Sequence, residues 1–256
     1  MDLNLTGKNI LITGASRGIG AAIAEAFLRE GSNVFLLARG MGQLLETQSR
    51  LKAQYKTQLV KSFVADCSAP TELEKVFESL NNSGVVIDSV VANVGDGRSV
   101  PDPLPTKEQW QVTWSNNFEV ALNTAQCFLP MLQKSKGSLC FVSSIAGLES
   151  IGAPVDYSTA KTAILSLSKN MARKLEGEVR VNSIAPGNIY FPGGSWEEKI
   201  KKDKSLVDSV LAGVPMKRFG KASEVADAVV FICSDKASFI NGSVLVVDGG
   251  QTLRVG

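Results

Sequence analysis

The sequence contains no histidine. This absence excludes a Ser-His-Asp triad, a Cys-His dyad and a histidine-ligated zinc ion. It also removes the imidazole that most often serves as a base near neutral pH. Any acid–base catalysis by this chain must therefore use Tyr, Lys, Asp, Glu or Cys.

Cysteine is scarce, with four residues in a chain of 256. None of the four forms a C-x-x-C pair, so we expect neither a structural metal site nor a thioredoxin-like redox motif. No metal site of any kind is predicted. The expected state is that of small buried thiols in a reducing cytosol.

The chain also lacks long apolar runs and an excess of one charge. Lys and Arg number 27 against 25 Asp and Glu, a formal net charge of +2. This balance favours neither a nucleic-acid partner nor an anionic membrane surface. No stretch approaches the roughly 18 apolar residues of a membrane span, and the first residues carry an acid where a signal peptide has bases. A cytoplasmic location is expected.

What the sequence does have is an ordinary share of hydrophobic residues, 44%, arranged as short apolar runs that alternate with amphipathic stretches. Strands are predicted at 9–13, 34–38, 59–65, 85–92, 138–142, 179–184 and 244–247, and helices at 19–30, 44–55, 71–80, 107–132, 158–175, 196–211 and 224–233. This alternation is typical of a parallel sheet covered on both faces. The predicted fold is α/β, a single-domain doubly wound parallel sheet (Rossmann fold) over residues 1–256. Residues 188–216 are expected to form a mobile cover over a substrate, with Gly193 and Gly194 as its hinge; the alternative is a surface helix whose charges Glu197, Glu198, Lys199, Lys201 and Lys202 face water.

A glycine-rich turn follows the first predicted strand, with Gly14, Gly18 and Gly20 in the run TGASRGIG. Gly14 permits the turn, Gly18 lets a pyrophosphate approach the backbone, and Gly20 lets the helix pack closely on the strand. The N-terminus of the following helix would offer unpaired N–H groups to the anion. A tight turn without a ligand is the alternative.

The residues about 20 positions further on indicate which dinucleotide is bound. An NAD-binding turn usually has an acidic residue there, which bonds the ribose 2′-hydroxyl. This chain has Arg39, which can neutralise a 2′-phosphate, and Arg17 within the turn could approach the same group. We therefore predict NADP(H) rather than NAD(H); the alternative is that both arginines are merely solvated.

Tyr157 and Lys161 are one helical turn apart and share a helix face. An isolated tyrosine has a pKa of ~10, too high for an efficient base at neutral pH. A neighbouring ammonium would lower the pKa of the phenol. The pair thus offers an acid–base group without histidine, and Lys161 could also bond a cofactor ribose. A surface Tyr-Lys pair is the alternative.

The glycine turn together with Tyr157-x-x-x-Lys161 resembles the short-chain dehydrogenase/reductase family, and in particular 3-oxoacyl-[acyl-carrier-protein] reductases, over nearly the whole chain. The resemblance implies that Ser144, 13 residues before Tyr157, is the catalytic serine and that Asn117 is the fourth catalytic residue. Adjacent Asn116 is the alternative to Asn117, and a strand-end cap is the alternative for Ser144.

The resemblance also implies the remaining cofactor contacts. Asp66 would contact the adenine, although it could instead cap the third helix, and Asn93 could be purely structural. The full set of expected cofactor-binding residues is Gly14, Ser16, Arg17, Gly18, Ile19, Gly20, Arg39, Asp66, Cys67, Asn93, Gly95, Tyr157, Lys161, Pro186, Gly187 and Ile189. The family often has a threonine where this chain has Phe191, so the nicotinamide carboxamide is left to the backbone of Ile189 or another group.

The predicted function is hydride transfer between NADP(H) and a carbonyl or secondary alcohol. Tyr157 would be the general acid, Ser144 would help hold the substrate oxygen, and Asn117 would position a water that feeds protons to Lys161. The alternatives are a non-catalytic NADP-sensing regulatory module and a hydrolase using Ser144 with a lysine base.

The sequence indicates less about the substrate than about the reaction. A 3-oxoacyl thioester is weighed against a sugar, polyol or steroid. The pocket is expected to be lined by Asp96, Arg98, Leu148, Glu149, Pro154, Tyr190, Trp196 and the segment after Gly193. An acidic carrier protein could dock on Lys134, Lys136, Arg173 and Lys174. A small-molecule substrate and a homodimer or homotetramer are expected. The subunits would meet through apolar helix faces that include Ala121, Leu122, Ala125, Phe128, Leu132, Ala163, Leu167 and Met171, faces that could equally pack within one chain.

Overall fold

Seven of the apolar runs form one parallel sheet in the computed structural model, which describes residues 1–203 and 205–254. The sheet order is β3-β2-β1-β4-β5-β6-β9, and β7 and β8 form a separate small pair. The strands are β1 Asn9–Thr13, β2 Asn33–Ala38, β3 Val60–Val64, β4 Ser89–Ala92, β5 Ser138–Val142, β6 Arg180–Pro186, β7 Ile189–Tyr190, β8 Gly220–Lys221 and β9 Val244–Val247. The predicted doubly wound fold is confirmed.

The helices cover both faces of this sheet. They are α1 Gly18–Arg29, α2 Met41–Gln54, α3 Pro70–Asn82, α4 Lys107–Trp114, α5 Val120–Ser135, α6 Val155–Lys174, α7 Ser195–Lys202, α8 Ser205–Ala212 and α9 Ala222–Cys233. Side chains of a strand alternate between the two faces: in β1, Ile10 and Ile12 join the core under α1 and α9, whereas Leu11 joins the core under α5. Every residue of β4 and β5 is buried, as expected where both faces are covered.

The strand order reverses between β1 and β4, which lie side by side although β2 and β3 intervene in the chain. In open α/β sheets a ligand binds in the crevice outside the carboxyl ends of the strands at this point. The fold therefore places the candidate site at the ends of β1 and β4.

The helix predicted over 107–132 is interrupted. It begins with a capping box in which Thr106 Oγ1 accepts from the Gln109 backbone N–H at 3.3 Å. One π turn, Ser115–Glu119, then separates α4 from α5. Such a turn inserts an extra residue into the helical ladder and often occurs at functional sites; here it carries Asn117.

The prediction of a single helix over 196–211 is wrong. The chain forms α7 and α8 instead, because Asp203 Oδ1 accepts from the backbone N–H and the hydroxyl of Ser205, at 2.9 and 2.6 Å, and starts a new helix. Residue 204, within the expected 188–216 cover, lies outside the described residues, as do residues 255–256 of the predicted domain. Between the predicted strand 179–184 and the predicted helix 196–211, where no element is predicted, the chain forms β7, which pairs with β8.

Other predicted boundaries differ by a few residues. The fourth strand is shorter than predicted and starts at Ser89, after Asp88, whose carboxylate accepts from the Asn9 backbone N–H at 2.9 Å and pairs with Lys8 at 3.1 Å. All four cysteines are free thiols, and three of them are buried. No helix within residues 1–203 and 205–254 combines the length and apolar character needed to cross a bilayer.

The apolar faces expected to meet a second subunit are largely used inside the chain. Phe128, Leu132, Ala125 and Ala121 lie in the core under α5, and Leu167 and Met171 pack against it. The intramolecular alternative thus accounts for most of these residues, and the subunit arrangement stays a prediction.

Candidate active site

The glycine turn joins β1 to α1 as predicted. Gly14 and Gly18 have positive φ angles of 66° and 56°, which favour glycine. A Cβ on Gly20 would collide with the carbonyl oxygen of Gly14 and lie 2.7 Å from the Asn93 side-chain nitrogen. The predicted close packing of helix on strand at Gly20 is therefore observed.

Asn93 ties the ends of the two central strands together. Its side-chain Nδ2 donates to the carbonyl oxygens of Thr13 and Gly14 at 3.1 and 3.4 Å, and its backbone N–H donates to Thr13 Oγ1 at 3.0 Å. The structural role considered for Asn93 is thus present, and the residue also lines the cleft.

Phe191 covers the middle of the turn. Three of its ring carbons lie within 2.8 Å of the position that a Cβ on Gly18 would take. Arg17 donates from Nη1 to the carbonyl oxygen of Gly193 at 2.8 Å. Gly18 is therefore covered by an aromatic ring in this structure. Arg17, which is expected near a 2′-phosphate, contacts the cover segment at residue 193 and also lines the cleft.

The far end of the cleft holds Arg39 and Asp66. Arg39 Nη1 lies 3.5 Å from Asp66 Oδ2, and Asp66 Oδ1 accepts from the backbone N–H and the hydroxyl of Ser68, both at 2.8 Å. Burial acts to raise the pKa of Asp66, but the bonds from Ser68 and the charge of Arg39 outweigh it and hold this pKa below its usual range. Asp66 does not cap α3, whose N-cap is Ala69 without a side-chain bond.

Cys67 follows Asp66 and is buried, with burial raising the pKa of its thiol to about 12. The thiol therefore stays protonated and unreactive at neutral pH. Its carbonyl oxygen accepts from Asn123 Nδ2 at 3.0 Å, so this residue shapes the cleft wall through its backbone.

Ser144, Tyr157 and Lys161 line a common cavity of about 740 Å³. The Lys161 side chain is 3% exposed, and its Nζ lies 5.7 Å from the centroid of the Tyr157 ring. Burial lowers the pKa of Lys161 to about 8, while the charge of Asp96 acts in the opposite direction.

The expectation that Lys161 lowers the pKa of Tyr157 is wrong for this structure. Burial raises the pKa of the phenol above its usual value, a hydrogen bond with the Ser144 hydroxyl lowers it, and the charge of Asp96 raises it further. Loss of solvation is the largest cause, because the phenol lies in the wall of the cleft, and the negative charge of Asp96 adds to it. Ser144 Oγ also accepts from the Ala146 backbone N–H at 3.2 Å, so the strand-end cap considered for it is present too.

Asn117 is fully buried behind this cavity. Its Oδ1 accepts from the Asp96 backbone N–H at 3.1 Å, and its Nδ2 donates to the carbonyl oxygens of Asp96 and Thr113 at 3.0 and 2.9 Å. The hypothetical Cβ of Gly95 would lie 2.6 Å from Lys161 Nζ and 3.1 Å from Asn117 Oδ1. Asn117 and Lys161 thus meet at Gly95, whereas Asn116 faces the other part of the cleft.

The turn after β6 closes the cavity on its other side. Gly187 donates its N–H to the Val247 carbonyl oxygen at 2.9 Å, and a Cβ on Gly187 would lie 2.8 Å from Asp248 Cα. Ile189 buries its side chain beside Gly220. Pro186, Gly187 and Ile189 all line the cavity.

A second cavity of about 390 Å³ adjoins the first, and the two share part of their walls, including Ile19, Asn93, Gly95 and Phe191. Together they bring 16 of the 18 predicted site residues to one cleft. The smaller cavity is lined by Gly14, Ser16, Arg17, Ile19, Gly20, Arg39, Asp66, Cys67, Asn93 and Gly95, and the larger adds Ser144, Tyr157, Lys161, Pro186, Gly187 and Ile189. Gly18, under Phe191, and Asn117, behind Gly95, line neither.

The expected substrate wall is only partly right. Pro154 and Trp196 line the larger cavity, and Asp96 and Arg98 the smaller. Leu148, Glu149 and Tyr190 line neither: Glu149 accepts from the backbone N–H groups of Leu253 and Arg254, and Tyr190 packs on Phe219 with centroids 6.3 Å apart. The wall residues that sequence reasoning missed include Ile145, Ala146, Ile151, Ala153 and Gln251, whereas Lys199, Ser209 and Val210 belong to the expected segment after Gly193.

A buried carboxylate next to Tyr157 was also missed. Asp156 is 1% exposed; its Oδ2 accepts from Ser99 Oγ at 2.5 Å, and its Oδ1 accepts from the Tyr157 backbone N–H at 2.8 Å. The contact fastens the 93–106 loop to the start of α6. An acid just before the tyrosine was visible in the sequence, but nothing there indicated Ser99 as its partner.

Fold and site together define the chain as an oxidoreductase with a dinucleotide-type α/β fold. The family described as enoyl-(acyl carrier protein) reductase matches residues 14–252. The chain belongs to the short-chain dehydrogenase/reductase family.

Three similar proteins illustrate the range of that family. The uncharacterized oxidoreductase YvrD of Bacillus subtilis is 35% identical over 98% of each chain, and the 3-oxoacyl-[acyl-carrier-protein] reductase FabG of Thermotoga maritima is 30% identical over 98% of this chain and 100% of its own. The structure of L-sorbose reductase from Gluconobacter frateurii, complexed with NADPH and L-sorbose, superposes with a TM-score of 0.92 at 32% identity over the whole of both chains.

Proposed function

We propose that the protein is an NADP(H)-dependent oxidoreductase that interconverts a carbonyl group and a secondary alcohol. The observation that carries this proposal is the common cavity of Ser144, Tyr157 and Lys161, continuous with the glycine-turn cavity. The relative solved with NADPH supports the choice of cofactor.

The residues present fit an NADP molecule along the cleft. Arg39 lies where a cation can neutralise a 2′-phosphate, and Asp66 is beside it for the adenine end. The glycine turn offers backbone N–H groups at the start of α1. Gly18 becomes available once the Phe191 ring moves away from it. When bound, the nicotinamide supplies or accepts the hydride.

The chain's own residues handle the oxygen and its proton. Ser144 and Tyr157 hold the substrate oxygen with their hydroxyls, which stabilises the negative charge that develops as the carbonyl carbon gains hydride. Because the pKa of Tyr157 is raised, the phenol keeps its proton at neutral pH and delivers it to that oxygen as a general acid.

Lys161 and Asn117 assist Tyr157, the first by supplying a proton and the second by positioning. The Lys161 amine and the Asn117 side chain meet at Gly95, and the amine lies 5.7 Å from the centroid of the Tyr157 ring. In the proposed reaction, Lys161 returns a proton to the phenol. Asn117 holds the loop at Asp96, so that this region keeps its shape. We place Asn117 in a positioning role, with a bound water between it and Lys161 as the expected proton carrier.

The substrate is a small carbonyl compound or alcohol, and the named relatives act on a 3-oxoacyl carrier-protein thioester and on a sugar. A homodimer or homotetramer is part of the proposal. The non-catalytic sensing module has no specific contact in the described residues that favours it.

The test is to follow NADPH consumption by the purified chain with a library of ketones and aldehydes, against NADH under the same conditions. We expect turnover with a preference for NADPH, and a rise of about tenfold in the KM for NADPH on Arg39→Gln, since a charge-assisted bond is lost. Arg50→Gln, which removes an arginine outside the cleft, is the control. NADPH binding without turnover of any carbonyl would favour the sensing module, and a preference for NADH would contradict the assignment of Arg39.

A further inference from the structure

The larger cavity has an uneven distribution of charge. Among the described residues that line it, the charged side chains are Lys161 and Lys199, and none is a carboxylate. Lys161 lies at the catalytic end beside Tyr157. Lys199 comes from α7, within the cover segment, and is exposed at the mouth of the cavity.

Lys199 is held in place by an aromatic ring. Its Nζ lies 4.6 Å from the centroid of the Trp196 ring, one helical turn earlier. A cation over an indole face is attracted by the ring quadrupole. Trp196 also lines the cavity and packs on Phe219 with centroids 5.1 Å apart, so the ring that orients the ammonium is itself fixed.

The acidic neighbours of Lys199 are engaged elsewhere. Glu197 Oε2 accepts from the Gly193 backbone N–H at 2.9 Å and lies 3.6 Å from Lys201 Nζ. Glu198 forms a two-point pair with Arg98, at 2.7 and 3.2 Å. Asp96, the acid nearest the catalytic end, also pairs with Arg98 at 3.1 Å. Within the described part of the chain, the Lys199 ammonium has no carboxylate within ion-pair distance.

Apart from Lys161 and Lys199, the described wall of the larger cavity is uncharged and mixes apolar with polar side chains. Ile145, Ile151, Ala153 and Val210 contribute hydrophobic surface, and Asn188, Ser195 and Ser209 contribute polar groups. Gln251 also lines the cavity, and its Oε1 accepts from Asn188 Nδ2 at 2.8 Å. The cavity therefore presents the Ser144 and Tyr157 hydroxyls at the catalytic end, a wall of mixed polarity without a described carboxylate, and an ammonium group at the mouth.

We propose that the substrate is a carbonyl compound, or the matching alcohol, that carries a carboxylate at the end remote from the reacting group, and that Lys199 is the residue that selects it. This inference rests on the function proposed above and names its substrate class. A cationic amino ketone is disfavoured, because the cavity offers it two ammonium groups and no acid. A neutral sugar or ketone leaves Lys199 without a partner.

The experiment compares matched substrates. Methyl ketones of increasing chain length with a terminal carboxylate are assayed with NADPH beside their methyl esters and their trimethylammonium analogues. We expect the acid to have a kcat/KM about fivefold to tenfold above that of its ester at the best chain length, the order expected for one charge-assisted contact. The trimethylammonium analogue is expected to be poorest. The acid preference should shrink with added salt, because Lys199 is partly in solvent.

Two variants assign the preference to Lys199. Lys199→Gln should bring the acid-to-ester ratio of kcat/KM close to one, and Lys199→Glu should reverse the order of the acid and the trimethylammonium analogue. Lys202→Gln, on the same helix but outside both cavities, is the matched control and should keep the wild-type ratio. Equal kcat/KM values for the acid and the ester in the wild type would overturn the proposal, and so would an acid-to-ester ratio that is unchanged in Lys199→Gln. Either result would leave the proposed oxidoreductase function intact.

A binding measurement separates this inference from the reaction itself. Isothermal titration calorimetry of each ketone into the NADPH-loaded Tyr157→Phe protein reports affinity where turnover is slowed. The acid should bind about fivefold more tightly than its ester, and Lys199→Gln in the same background should remove that difference. Equal affinities for the acid and the ester would overturn the proposal that Lys199 selects a carboxylate, even if the wild-type protein reduced every ketone. Tighter binding of the acid would uphold that selectivity even if the wild-type protein reduced none of them.

Discussion

The two walls of the cleft are built differently. The sheet-side wall comes from the ends of β1 and β4 and from α6, where Asn93 binds the Thr13 and Gly14 carbonyls and Lys161 is buried. The cover-side wall is held by the Arg17 side chain on the Gly193 carbonyl, by the exposed pair of Arg98 and Glu198, and by the packing of Trp196 on Phe219. Buried, satisfied polar contacts fix geometry, whereas exposed ion pairs contribute little. In the proposed function, the reacting groups therefore lie on the more rigid wall, and the residue proposed to select the substrate lies on the cover.

The largest expected effect is on the rigid wall. Tyr157→Phe removes the proton donor, and we expect kcat to fall by about 10² to 10⁴, typical of a positioned acid–base group. Steady-state kinetics with NADPH and any accepted ketone measure this. Tyr190→Phe is the control, since Tyr190 lies outside both cavities and is 39% exposed. A Tyr157→Phe protein with near-normal turnover would show that the rigid wall does not carry the chemistry.

Gly95 and Gly97 form a matched pair that tests how little extra side-chain volume the rigid wall accepts. A Cβ on Gly95 would lie 2.6 Å from Lys161 Nζ, whereas one on Gly97 would lie 3.8 Å from Tyr157, an ordinary contact. Gly95→Ala should lower kcat/KM by about tenfold or more, because the amine must move, and displacements of this size are costly in catalysis. The thermal midpoint should change little, since the amine is the end of a flexible chain. Equal losses of activity in Gly95→Ala and Gly97→Ala would contradict this reading.

The buried amine also predicts how stability depends on pH. The pKa of Lys161 is about 8 in the folded protein against an ordinary 10.5. Between these values the unfolded chain binds more protons, so the free energy of unfolding should rise with pH across that window. Below pH 8 the cost of burying the charge is fully present, on the order of 3 kcal/mol at about 1.4 kcal/mol per pKa unit.

Lys161→Met tests this directly by urea unfolding at a series of pH values. The variant should be more stable than wild type at pH 7, by on the order of 1 to 3 kcal/mol, and the difference should narrow as the pH approaches 10. Lys202→Met removes an exposed lysine and serves as the control. A difference between wild type and Lys161→Met that does not change with pH would refute the assignment.

The smallest effect is expected on the cover. Arg98→Gln breaks the exposed pair with Glu198, and such pairs contribute about 0 to 1 kcal/mol. We expect the thermal midpoint to be nearly unchanged and KM for the substrate to change by no more than about threefold. A loss of activity comparable to that of Gly95→Ala would mean that the cover is as rigid as the sheet wall, and the comparison would then fail.

The sequence predicted the rigid wall well because local patterns determine it. A glycine turn between a strand and a helix, and a tyrosine one turn before a lysine, describe neighbouring residues whose placement the fold then fixes. The individual contacts of the cover were not predictable, because they depend on long-range packing: Lys199 lies over the Trp196 ring, and that ring packs on Phe219. The raised pKa of Tyr157 was likewise not predictable from spacing, since it depends on burial and on Asp96.

The ring of Phe191 over Gly18 has a thermodynamic consequence. In the proposed function, a dinucleotide bound at the glycine turn takes the space that the Phe191 ring now occupies over Gly18, so binding includes the cost of moving the ring aside. The measured affinity for the dinucleotide then reports a difference between two sets of contacts, and any factor that weakens the hold of the ring tightens the binding by the same factor. A substitution at Phe191 can therefore change the affinity for the coenzyme even if this residue does not contact the bound coenzyme.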